Sequence, residues 1–238
     1  MTATPVPILS DNYAWLLKAD DGSTAIVDPA DAAPVIAALE AAGGRCDLIL
    51  LTHHHADHVA GTDEVRARFA SKVAGAAADA HRLPRLDLAL AEGDTVILGK
   101  SAGRVMETPG HTRGHISYYF ADGGILLPGD TLFSLGCGKL LEGNAEEMFT
   151  SLAKFRALPD ETLVCCGHEY TESNARFALT EEPQNAALVA RAAEAAAQRK
   201  AGLPTLPARL GTEQAANPFL HARDAATLGA IRARKDRF

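Results

Sequence analysis

Aromatic residues make up only 5% of this 238-residue chain, so its hydrophobic content of 47% leans on small side chains, alanine above all. That composition points to closely packed helices. Four cysteines are present, Cys46, Cys137, Cys165 and Cys166, without Cys-x-x-Cys spacing and with two of them adjacent. Buried thiols in a reducing, cytoplasmic compartment are expected from such a set. No apolar run approaches the roughly 18–20 residues that a membrane span requires, so no membrane partner is expected. Met1 to Ser10 contains no basic residue and no long apolar stretch, and it does not read as a signal peptide. The formal net charge of −7 argues against a nucleic-acid binder that works through the phosphate backbone. Gly-x-Ser-x-Gly is missing too, which removes the commonest serine-hydrolase reading. Nothing here demands disulfide staples, because a chain of this length buries a core without them.

What is present is histidine: nine in all, four of them between His53 and His58. The segments around this cluster alternate between strand and helix. Tyr13 to Lys18 and Thr24 to Val27 read as strands, Ala32 to Ala42 as a helix stopped at Gly43-Gly44, and Asp47 to Leu51 as a buried strand. The spacing then predicts a helix over Val59 to Phe69 and strands at Thr95–Leu98, Arg104–Glu107, Ile116–Phe120 and Gly124–Leu127. A helix at Ala145 to Ala157 and a strand at Thr162 to Cys166 follow. Beyond Gly167 no strand is expected. Asn185 to Lys200 reads as an alanine-rich helix, Pro204 and Pro207 break the chain, and a last helix runs from Asp224 to Arg234. The expected organisation is an α/β domain over residues 1–168 and a helical segment over 169–238.

Thr52-His53-His54-His55-Ala56-Asp57-His58 leaves the end of a strand, where a rigid sheet holds loops for chemistry. By alternation His53 and His55 point one way and His54 the other, whereas Asp57 and His58 leave at a new angle once the chain turns helical. Two sets of ligands a few ångströms apart suit two metal ions better than one. His111 in Thr-Pro-Gly-His-Thr, Asp130 in Pro-Gly-Asp-Thr and His168 in Cys-Gly-His-Glu-Tyr share the context of strand, glycine and turn. Glycine lets the backbone turn tightly there and project the next side chain over the sheet edge.

These four motifs, in this order and spacing, resemble the metallo-β-lactamase superfamily. The resemblance implies an αββα sandwich with a dinuclear metal site. It places His53, His55 and His111 on one metal and Asp57, His58 and His168 on the other, with Asp130 bridging both. A metal lowers the pKa of its bound water from 15.7 to about 7, giving a nucleophile at neutral pH. Asp57, a ligand beside the expected bridge, is also placed to orient that nucleophile. Two divalent ions are implied, zinc first, although His and carboxylate ligands suit iron and manganese as well.

Asp11-Asn12-Tyr13, Gly136-Cys137-Gly138-Lys139, Cys166 to Thr171, Asn217-Pro218-Phe219-Leu220 and the ending Arg232 to Phe238 narrow the resemblance to the glyoxalase II family, over nearly the whole chain. This implies hydrolysis of S-(2-hydroxyacyl)glutathione thioesters, such as S-D-lactoylglutathione, to glutathione and a 2-hydroxy acid. It also implies substrate contacts at Lys139, Tyr170, Arg232 and Lys235. Arg232 and Lys235 lie three apart on the last helix, on one face, and cations suit the two carboxylates of glutathione. The sequence departs from the family at Leu141, where an aromatic is usual, and at His221, where arginine is frequent. Two other readings stay open: an iron-dependent persulfide dioxygenase of the same fold, and a metallohydrolase of another acyl substrate. Among the remaining histidines, His54 is expected behind the site, His115 in a supporting or structural role, and His81 and His221 at the surface. A monomer is the default.

Overall fold

A computed structural model describes all 238 residues, and the chain divides into two compact units. The first comprises Met1–Glu107 with Gly114–Gly129, the second Thr108–Arg113 with Asp130–Phe238.

The first unit contains two sheets. One is built from β1 (Thr2–Ile8), β2 (Asn12–Lys18), β3 (Thr24–Val27), β4 (Leu48–Leu50), β5 (Lys72–Ala76) and β6 (Leu88–Leu90), adjacent in that order. Its first three strands are antiparallel, and β3 to β6 run parallel. Helices α1 (Ala32–Ala41), α2 (Ala56–Val59) and α3 (Thr62–Phe69) supply the crossovers of this parallel half. The second sheet is an antiparallel meander of β7 (Thr95–Leu98), β8 (Ser101–Glu107), β9 (Ile116–Phe120) and β10 (Ile125–Gly129). Strands β2, β3 and β4 are apolar on both faces and almost wholly buried, as the central strands of a covered sheet must be. The two sheets meet through Tyr118 on β9, whose hydroxyl donates to the Leu51 carbonyl at 2.9 Å. Burial pushes the phenol of Tyr118 well above its ordinary range, so it stays a neutral donor.

The second unit contains α4 (Ala145–Arg156), the short hairpin of β11 (Leu132–Phe133) and β12 (Gly136–Cys137), and β13 (Leu163–Cys166). Its C-terminal part carries α5 (Thr171–Glu181), α6 (Ala186–Lys200), β14 (Ala208–Arg209), α7 (Leu210–Ala216), α8 (Pro218–His221) and α9 (Ala225–Lys235). The alanine content is used here. Ala175, Ala178 and Ala216 form a buried cluster with Leu135 and Leu188, and small side chains let the helices approach closely.

Two expectations are corrected. The helix expected over Val59 to Phe69 is α3, which starts only at Thr62, and Ala60-Gly61 separates it from the short α2 that ends at Val59. A Cβ on Gly61 would lie 2.5 Å from the Pro29 carbonyl oxygen, so the chain passes too close to the end of β3 for one straight helix. A strand does occur beyond Gly167: β14 pairs antiparallel with β13 through Leu163–Arg209 and Val164–Ala208. The four cysteines are buried free thiols, and burial raises the pKa of each.

Candidate metal centre

Strands β3 and β4 lie parallel with Val27 beside Leu50, so Asp28 and Leu51-Thr52 leave the sheet together. Asp28 adopts a left-handed conformation (φ 50°), a strained choice for a residue with a side chain, and its carboxylate is buried. One oxygen accepts from the Thr52 backbone N–H at 2.9 Å; the other accepts from the Thr52 hydroxyl at 2.6 Å and lies 2.9 Å from His58 Nδ1. The Thr52 hydroxyl lies 3.0 Å from His53 Nδ1. Both histidines therefore have Nδ1 anchored, which turns Nε2 towards the other candidate ligands of this unit.

The other candidate ligands of this unit meet those nitrogens. His55 Nδ1 is 3.0 Å from His53 Nε2, and Asp57 Oδ2 is 3.6 Å from His58 Nε2. Asn12 fixes Asp57 by donating to both its carbonyl (3.0 Å) and its carboxylate (3.1 Å). His54 turns away to Asp79 (3.3 Å), itself held by Arg82, as alternation requires. His115 stacks on the His53 ring at 5.0 Å, the supporting place expected of it. Asp28, His53 and His58 also bring ligand atoms within 4.8 Å of one another. Three donors already engage the Asp28 carboxylate, so we read it as the anchor of this half.

The second unit carries His111, Asp130 and His168, all buried. His111 Nε2 lies 3.6 Å and His168 Nε2 3.3 Å from the same oxygen, Asp130 Oδ2. His111 Nδ1 is anchored on the Lys139 carbonyl at 2.8 Å. His168 lies against Tyr170, stacked at 4.5 Å, with the Phe133 ring edge-on at 5.8 Å. The glycines before two of these ligands are required. Gly110 (φ 146°) and Gly129 (φ 50°) occupy conformations that side chains disfavour. A Cβ on Gly129 would also fall 2.5 Å from the Thr52 hydroxyl.

Within each unit, then, neighbouring donor atoms stand 3.0 to 3.6 Å apart. Ligands bound at about 2.0–2.1 Å around a tetrahedral ion would stand about 3.3 Å from one another. The residues present fit divalent metal in donor type and in spacing.

Of the expected substrate contacts, Lys139 is exposed, while Tyr170 and Lys235 are half-buried. Burial, and next the neighbouring Arg232, lower the pKa of Lys235 to about 8. Arg232 is buried; its guanidinium donates to the Cys137 carbonyl (2.9 Å) and to Asp236 (2.8 Å) and lies over the Phe219 ring. Lys235 donates to the Asn174 side-chain oxygen. His81 is exposed as expected, and Leu141 is exposed too. His221 is also at the surface, held between Glu182 and the Gln214 carbonyl.

Sequence reasoning missed Asp28 and the anchoring role of Thr52. Asp28-Pro29 reads as a strand-ending turn, and only its place at the end of a fully apolar strand could have marked it.

The family model described as "Metallo-beta-lactamase superfamily" matches residues 9–168, and "Hydroxyacylglutathione hydrolase C-terminus" matches residues 169–238. A protein of Acidiphilium cryptum (strain JF-5) named hydroxyacylglutathione hydrolase is 59% identical over 237 residues, covering 100% of this chain and 97% of its own. Among solved structures, the BLEG-1 B3 metallo-beta-lactamase aligns with a TM-score of 0.73 at 24% identity, covering 93% of this chain and 100% of that one, a likeness of fold. TTHA1623, solved in a di-iron-bound form, aligns with a TM-score of 0.58 at 27% identity over 71% of this chain and 92% of its own. Two full-length lines of likeness thus meet on the sandwich, the His/Asp sets and the C-terminal helices, and the chain belongs to the hydroxyacylglutathione hydrolase family of the metallo-beta-lactamase superfamily.

Proposed function

We propose that this protein is a metal-dependent thioester hydrolase that cleaves S-(2-hydroxyacyl)glutathione, with S-D-lactoylglutathione as substrate, to glutathione and a 2-hydroxy acid. The observation that carries the reading is the combination of an oriented His/Asp donor set with a cationic last helix in one chain. We assign His53, His55 and His111 to one ion, Asp57, His58 and His168 to a second, and Asp130 to both. Zinc is the metal proposed, a di-iron relative making iron the alternative to test. Held by these residues, two such ions would supply a water that ionises near neutral pH and a Lewis acid for the thioester carbonyl.

The chain's own residues do the rest. Asp57, pinned by Asn12, accepts a proton or hydrogen bond from the attacking water and aims it. A thiol with a pKa of about 8.5 leaves as thiolate, so no strong general acid is needed. Lys139 and Lys235 offer ammonium groups to the glutathione carboxylates, and Tyr170 offers its ring and hydroxyl. Arg232, spent on Asp236 and Cys137, contributes as a buried charge beside Lys235. Residues 1–168 form the catalytic part and 169–238 the substrate-binding part of a monomer, and the four free thiols suit the cytoplasm. No helix is long and apolar enough to cross a membrane.

One preparation tests this reading: metal content and hydrolysis of S-D-lactoylglutathione are measured on the same sample. About two ions per chain with turnover is the expected result. A full complement without turnover refutes the substrate. Oxygen uptake with glutathione persulfide, dependent on a single iron, would establish the dioxygenase reading instead.

A further inference from the structure

The hairpin β11–β12 and the two residues that follow it lie against every proposed ligand of the second unit. Asp130 stands two residues before β11, and its carbonyl lies so close to Gly138 that a Cβ there would come within 2.0 Å of it. His111 hangs from the Lys139 carbonyl, two residues beyond β12, and the Phe133 ring on β11 abuts His168. Yet the hairpin has only two residues per strand, and isolated two-stranded ribbons are marginal in water. Its turn is also strained: Leu135, fully buried, sits at φ 58°, a left-handed conformation unusual for leucine. Something outside the hairpin must hold this shape.

We propose that Glu213 on α7 is the positioning residue that sets the β11–β12 turn and, through it, the geometry of Asp130, His111 and His168. One Glu213 oxygen accepts from the Ser134 hydroxyl at 2.6 Å and the other from the Leu135 N–H at 2.7 Å, so the carboxylate spans the strained turn. Asn217, one helical turn on, donates to the Phe133 and Gly136 carbonyls at 3.1 and 3.0 Å and to Glu213 at 3.4 Å. Asn174 donates to the Ser134 carbonyl at 2.9 Å. Three side chains from the C-terminal helices thereby engage the Phe133, Ser134 and Gly136 carbonyls and the Leu135 N–H of the turn. Glu213 has no exposed surface, and burial raises its pKa above that of a free carboxyl. A carboxylate kept in the core at that cost, beside an apolar cluster that includes Leu135, answers a demand that an apolar side chain could not meet.

The proposal rests on the ligand assignment made above, and its test separates the two. Glu213→Gln keeps the volume but removes the charge, and its amide either faces the Leu135 N–H or makes the Ser134 hydroxyl an acceptor where it now donates, beside Arg191 at 3.5 Å. Ser134→Ala removes one donor and leaves the carboxylate in place. Leu39→Ala, a buried truncation on α1 of the first unit, serves as a control that lowers stability from outside the unit that contains the turn. Each protein is stripped of metal, then titrated with zinc(II) against a chromogenic chelator. Amide exchange at residues 131–139 is followed in the stripped state, and kcat and KM are measured after reloading.

Glu213→Gln is expected to weaken zinc binding about 10-fold or more and to lower kcat with KM unchanged, as losses behind a metal ligand do. Ser134→Ala should weaken zinc about threefold, and both should speed exchange across the hairpin. Leu39→Ala should match wild type in zinc affinity and hairpin exchange. If both turn variants lose stability but bind zinc as wild type does, Glu213 is merely structural and the proposal fails. Should Glu213→Gln not fold, the zinc affinity of Ser134→Ala decides. Wild-type protein that takes up no zinc would instead overturn the ligand assignment, and this proposal with it.

Discussion

In the first unit a single carboxylate, Asp28, reaches three donors on Thr52 and His58, and the Thr52 hydroxyl passes the constraint on to His53. In the second unit His111 leans on a backbone carbonyl and His168 on two aromatic rings, and both depend on the shape of a small hairpin. The first arrangement is compact and ionic, so one substitution removes most of it. The second is distributed: the Lys139 carbonyl stays whatever side chain stands there, and the hairpin is pinned from several helices at once. Unequal responses to substitution in the two halves follow directly.

Asp28→Ala should therefore produce the largest effect. It leaves the Thr52 N–H, the Thr52 hydroxyl and His58 Nδ1 without their acceptor in a buried place, where each unmet group costs about 1–3 kcal/mol. A loss of about 3 kcal/mol or more in chemical denaturation is expected, together with a fall of about 100-fold in zinc affinity or kcat/KM. Asp28→Asn, which keeps one acceptor oxygen, should fall between that variant and wild type. Zinc binding by Asp28→Ala equal to wild type would break the comparison at its first term.

The same contrast decided what could be read from the sequence. The first unit's proposed ligands fall at His53, His55, Asp57 and His58, a density that no ordinary loop supplies, and the alternation of the chain separates them into two sets. His111, Asp130 and His168 were legible one at a time, each behind a glycine, and the φ of Gly110 and Gly129 shows why glycine stands there. Asp28 was hidden because its partners lie 24 and 30 residues away, and an Asp-Pro pair after a strand has a local explanation in turn chemistry. Glu213 was hidden among the other acidic residues of the helical tail, since only tertiary packing distinguishes it. The short strand β14 carries no periodicity to read. The break between α2 and α3 lies in the contact of Gly61 with Pro29, a fact of packing rather than of helix propensity.

A smaller effect is expected from Phe133→Leu, which keeps an apolar side chain at the root of the hairpin but removes the ring contacts to His168 and Tyr170. Each aromatic contact contributes about 0.5–1.5 kcal/mol beyond burial, so kcat/KM should fall by about 10-fold. Lys139→Ala sharpens the point by contrast. It keeps the carbonyl that anchors His111, so zinc content should match wild type while KM for the glutathione thioester rises. If Lys139→Ala loses metal, the backbone anchor is not what holds His111.

The smallest effect is one of pH, and it belongs to the second unit. Lys235, with its pKa lowered from 10.5 to about 8 by burial and by Arg232, loses its charge well before an exposed lysine does. As pH rises through 8 the proposed contact to a glutathione carboxylate weakens, so KM should increase a few-fold between pH 7 and 9 while kcat is unaffected by this group. Stability moves the other way. Between about pH 8 and 10.5 the unfolded lysine holds a proton that the folded one has released, so the unfolded state binds more protons and folding becomes more favourable with rising pH. Below pH 8 both states are charged and the full cost of burying the ammonium is present. Lys235→Met removes that cost, so it should be more stable than wild type at pH 7, bind the thioester more weakly there, and show no rise in KM towards pH 9. A neutral thioester measured in parallel should show little change in KM in either protein, because only an anionic substrate senses the charge at Lys235; an equal rise for both substrates would assign the pH dependence to the metal-holding residues rather than to the last helix.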